Sequence, residues 1–118
     1  MEALLFSVII ALLMVHGMDA VRAKEWKMFL ILKDMQEERG YKLFTILHFI
    51  IYIVIFYAIL RESYAIKVII DVFLLFHALL HYSFRRHLHG NGFKTLFSKG
   101  IIYSMALLAA VHLGVILQ

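Results

Sequence analysis

The chain has 118 residues, 64% of them hydrophobic, and a mean hydropathy of +0.88, whereas an ordinary soluble domain is about 45–50% apolar, so most of it belongs in a bilayer. It contains no cysteine, which excludes a disulfide framework and a thiolate metal site and leaves only imidazole and carboxylate to hold a metal. Its net charge of +4 comes from basic residues that flank apolar runs and alternate with acids, a pattern that suits anionic lipid headgroups and no nucleic acid.

Residues 3–18 form the first apolar run. Its start is acidic (Met1-Glu2) and it ends in His16-Gly17-Met18-Asp19 without a small-x-small cleavage site, so it reads as a retained transmembrane helix. His16 and Asp19 sit side by side near its end. In residues 20–39 the charges Arg22, Lys24, Glu25, Lys27, Lys33, Asp34, Glu37, Glu38 and Arg39 alternate with Val21, Trp26, Phe29, Leu30 and Leu32. This stretch is expected to be an interfacial amphipathic helix, with Trp26 at headgroup level and Gly40 as its stop.

The second span is expected over residues 43–60, with Thr45, His48 and Tyr52 on one face. A short connection, Arg61-Glu62-Ser63-Tyr64, makes the next helix an antiparallel neighbour. That third span, residues 66–84, carries Asp71, His77 and His81 in an otherwise apolar run. Ionisable side chains at bilayer depth cost about 2.5 kcal/mol or more when charged, so these three need partners. Arg85, Arg86, His87 and His89 follow, the two histidines reading as loop or headgroup contacts, and Gly90-Asn91-Gly92 signals a turn. Residues 101–117 make the fourth span, where Ala106, Ala109 and Ala110 permit close helix approach and His112 lies well inside.

The expected fold is therefore all-α: one integral membrane domain, a four-helix transmembrane bundle with an interfacial amphipathic helix between spans 1 and 2. Ten of the twelve Lys and Arg residues fall in the connections after spans 1 and 3, which places those connections in the cytoplasm and both termini outside. Distance from the helix ends then sorts the polar residues into two layers. His16, Asp19, His48, His77 and His81 share the basic side, and Asp71 and His112 share the other.

In the first layer His77 and His81, one turn apart, can bind a single ion from one helix face. A metal site of His16, Asp19, His48, His77 and His81 is the leading expectation, with Glu25 and Tyr52 in supporting positions. Imidazoles suit zinc, and a larger share of carboxylate suits iron or manganese. Such an ion would serve hydrolytic or redox work on a hydrophobic substrate. The alternatives are neutral histidines that only specify helix packing, haem ligation, or proton conduction. Asp71 with His112 reads as an ion pair or a proton relay, which in the second case makes the protein a small proton-coupled carrier or channel subunit. A non-catalytic accessory or immunity-type membrane protein is the remaining class. So small a unit buries little interior, so a homo-oligomer or a larger membrane partner is expected beside the lipid bilayer.

His16-Gly17-Met18-Asp19-Ala20, followed by Glu25-Trp26 and then His48 in the next span, resembles the opening of an uncharacterised family of small bacterial multi-pass membrane proteins. The pattern is His-x-x-Asp-Ala, Glu-Trp, His, and it covers the first half of the chain. The resemblance implies that His16, Asp19, Glu25, Trp26 and His48 belong to one functional unit, in a bacterial inner-membrane protein. The His-x-x-x-His of the third span is also similar to metal motifs of membrane hydroxylases and lipid hydrolases, which are longer and carry more histidine clusters.

Overall fold

The structure, a computed structural model, describes residues 1–29, 31–85 and 95–118. It is all-helical, with α1 (Glu2–Arg22), α2 (Glu37–Leu60), α3 (Tyr64–Phe84) and α4 (Leu96–Ile116). All four are long and apolar enough to cross a membrane. At 1.5 Å per residue, their 21 to 24 residues reach about 31–36 Å, against a hydrocarbon core of about 30 Å. His87, His89 and the Gly90-Asn91-Gly92 turn lie outside the described residues.

The core is built from α1, α4 and α3, with α4 packed against both of the others. Phe6, Ile9, Ile10 and Leu13 of α1 recur at helical spacing and meet Ile70 and Leu74 of α3 and Met105 and Ala109 of α4. Buried small residues, Ala20, Ala58, Ala78 and Ala109, let the helix backbones approach closely. Ala106 is only partly buried and Ala110 is exposed, so of the three alanines expected to line a helix contact Ala109 does so fully. Helix α2 lies on the outside, burying Gly40, Phe44, Ile55 and Ala58 and exposing Ile46, Leu47, Phe49, Ile50, Ile53, Val54 and Phe56.

Residues 20–39 do not form the expected single amphipathic helix. Helix α1 continues to Arg22 and stops where Lys24 turns left-handed at φ 53°. A short 3-10 helix, Glu25–Met28, follows, and α2 begins at Glu37, six residues before the expected start of its span. The physical reason is burial: Glu25 and Trp26 point into the bundle, and a straight helix would have carried them past it.

Trp26 is accordingly not a headgroup anchor. It is 3% exposed and packs on Phe44 of α2, with ring centroids 5.6 Å apart. Gly40 is not a helix stop either, since its N–H bonds to Gln36 C=O at 2.9 Å in the first turn of α2. What position 40 requires is the missing side chain, because a Cβ there would strike the Trp26 indole. Gly40→Ala is therefore expected to push Trp26, and Glu25 beside it, off position. Overpacking of this kind costs about 1–3 kcal/mol, a loss that the unfolding midpoint in detergent should report.

Candidate metal centre

Three helical segments bring four ligating side chains to one point. His16 comes from the last third of α1, His77 and His81 from consecutive turns of α3, and Glu25 from the 3-10 helix. Their ligand atoms all lie within 4.8 Å of one another. His77 Nε2 is 2.8 Å from His16 Nε2, 3.1 Å from His81 Nε2 and 3.1 Å from Glu25 Oε1. Glu25 also has Oε1 3.2 Å from His81 Nε2 and Oε2 3.5 Å from His16 Nε2.

These separations bracket the edge of about 3.3 Å of a tetrahedron whose ligands sit about 2.0–2.1 Å from a central ion. The three imidazole planes cross at 69°, 82° and 73°, as rings radiating from one centre do, and none stacks on another. A ring nitrogen offers one N–H or one in-plane lone pair, so His77 Nε2 cannot satisfy three neighbours by hydrogen bonding. A shared cation satisfies all four groups at once. Burial alone would raise the Glu25 carboxyl, but hydrogen bonds from His16, His77 and His81 hold it well below the usual carboxylate range. Glu25 is thus an ionised ligand or counter-charge, and the buried His/Glu group could hold a metal ion.

Not every residue expected in this layer arrives. Asp19 lies only 60° round α1 from His16, yet its carboxylate accepts from Arg22 Nε, one turn on in the same helix, at 2.8 Å. The same guanidinium donates to Ser98 Oγ at 3.2 Å. His48 has Nδ1 2.8 Å from the Phe44 carbonyl oxygen, one turn back in α2, and packs on the Phe44 ring. Tyr52 stands beside His48, with its hydroxyl against Gly17 of α1. His48 and Tyr52 line a separate pocket with Met14, Gly17 and Phe44. His48→Ala and Asp19→Ala are each expected to keep metal content within twofold of wild type by elemental analysis.

Glu25 is the residue that sequence reasoning undervalued. It stands in a run of alternating charges whose apolar neighbours suggest a surface helix, and only its place before Trp26 marks it out.

At the other end of the bundle the expected pair forms. His112 Nδ1 is 2.7 Å from Asp71 Oδ2, and both side chains are 0% exposed. Phe6 stacks on the His112 ring at 5.1 Å. Glu2 Oε1 lies 3.9 Å from His112 Nε2 and accepts from Lys67 Nζ at 2.7 Å, which closes that end of the bundle with an ion pair.

Residues 2–118 match a family described as a family of unknown function (DUF6713). The chain belongs to the DUF6713 family. The match runs through all four helices of this DUF6713 protein and so takes in both polar layers, where the sequence pattern reached only the first half. Searches of curated proteins and of solved structures each returned no match.

Proposed function

We propose that this protein is a small integral membrane protein that binds a divalent transition metal through His16, Glu25, His77 and His81, and that the ion acts on a membrane-dissolved molecule. The observation that carries the reading is the convergence of three imidazole nitrogens and one carboxylate at ligand-edge distances in a buried position. Three imidazoles and a carboxylate fill a tetrahedral zinc shell but leave positions free on an ion such as iron(II) that takes up to six ligands. Zinc would therefore staple α1, α3 and the α1–α2 connection together, and iron would leave room for redox chemistry. A cleft lined by Glu25, His77 and His81 favours the second.

The charge bias supports a cytoplasmic-side position for this centre with both termini outside, and the resemblance to small bacterial multi-pass membrane proteins is what suggests a bacterial inner membrane. The apolar outer face of α2 supports contact with lipid or with a second membrane helix. Proton-coupled transport is less well supported: buried Ile9, Leu13, Leu74 and Met105 form an apolar layer between the metal cluster and the Asp71–His112 pair.

The test is elemental analysis of protein purified without chelator and without an affinity tag that itself binds metal. Close to one equivalent of iron or zinc is expected in the wild type, and below a tenth in His77→Ala/His81→Ala. Metal-free wild type that takes up no ion on reconstitution would reject the reading.

A further inference from the structure

The metal cluster is not sealed on all sides. A cavity of about 350 Å³ has Glu25, His77 and His81 at one end and Met28, Phe29, Ile31, Leu80 and Phe84 along its walls. Its size falls within the range of about 300–1,000 Å³ typical of small-molecule sites. On α3 the residues His77, Leu80, His81 and Phe84 form one stripe, so the lining changes from ligand atoms to hydrocarbon over about 10 Å. The opposite wall is Met28, Phe29 and Ile31 of the α1–α2 connection. Among the described residues that line it there is no Lys or Arg, so no side chain is in place to grip a phosphate.

We infer that this cleft takes a single-chain acyl or alkyl amphiphile, its chain between Leu80, Phe84, Met28 and Ile31, and its oxygen head group (a carboxylate, carbonyl or hydroxyl) on the ion held by Glu25, His77 and His81. The inference rests on the metal reading above. The chain fits because the walls match it in polarity. The head fits because, among the described residues that line the cleft, the polar side chains are those of the cluster, where a neutral or singly charged oxygen ligand would find the ion. Holding the chain in the cleft raises the local concentration of the head at the ion, which a short analogue forgoes.

The experiment uses the full chain in lipid nanodiscs, loaded with cobalt(II), whose visible spectrum reports ligand changes. Decanoyl hydroxamate and acetohydroxamate are the probes. Wild type should respond to the decanoyl probe at a concentration at least tenfold below that for acetohydroxamate. Leu80→Trp, which fills the cleft, should lose that tenfold while keeping its cobalt and its response to acetohydroxamate. Comparison with the variant cancels partitioning of the long probe into lipid. If Leu80→Trp does not hold cobalt, Ile31→Trp at an exposed wall position takes its place. Equal decanoyl responses in wild type and a cobalt-loaded cleft variant would overturn the cleft while leaving the metal site standing. A wild type that binds no cobalt would overturn both.

Discussion

Glu25→Ala is expected to lower the affinity for a divalent ion at least about 100-fold and to free the connection between α1 and α2. Loss of partners that merely orient a metal ligand already costs 10–100-fold, and Glu25 is itself in ligand position, touching all three imidazoles. It is also the one cluster residue outside the four long helices, so an ion bound by the cluster would, through this carboxylate, hold the 3-10 helix against α1 and α3. Chelator competition reads the first effect. Trypsin cleavage at Lys27 or Lys33 reads the second: Glu25→Ala and chelated wild type should both be cut faster than metal-loaded wild type. Equal cleavage rates in all three would separate Glu25 from the ion and leave it a packing residue. Acidification should release the metal, because imidazole and carboxylate ligands bind an ion only in their deprotonated forms and protons compete for them.

Asp71→Ala should be the most destabilising single change in the chain. Asp71 and His112 are both fully buried, and removing one partner of a buried pair costs about 3–5 kcal/mol because His112 Nδ1 is left without its carboxylate and, among the described residues, only the Glu2 carboxylate, 3.9 Å from Nε2, remains near the ring. The unfolding midpoint in detergent should drop by about 10 °C or more. Asp71→Leu/His112→Phe should recover most of that loss, since hydrocarbon replaces both polar groups and a phenyl ring keeps the stack on Phe6. Metal content should be unchanged in both variants, because the pair sits at the far end of the bundle beyond the Ile9, Leu13 and Leu74 layer. If the double variant stays as unstable as Asp71→Ala, the pair does more than neutralise itself.

Composition and apolar run length alone determined the four long helices, because the hydrocarbon thickness of a bilayer fixes how many apolar residues each must have. The sorting of histidines into two layers was equally legible, since depth along a helix is residue number times a constant rise. Which members of a layer meet depends instead on the rotation of each helix about its axis, and packing sets that rotation. Sixty degrees of turn separate His16 from Asp19, and the seat of α2 against Gly17 sends His48 to another pocket. Local pattern misjudged the α1–α2 connection because its charges alternate as on a surface helix. Only the tertiary structure decided that Glu25 leaves that surface for three imidazoles and that Trp26 needs the space Gly40 leaves open.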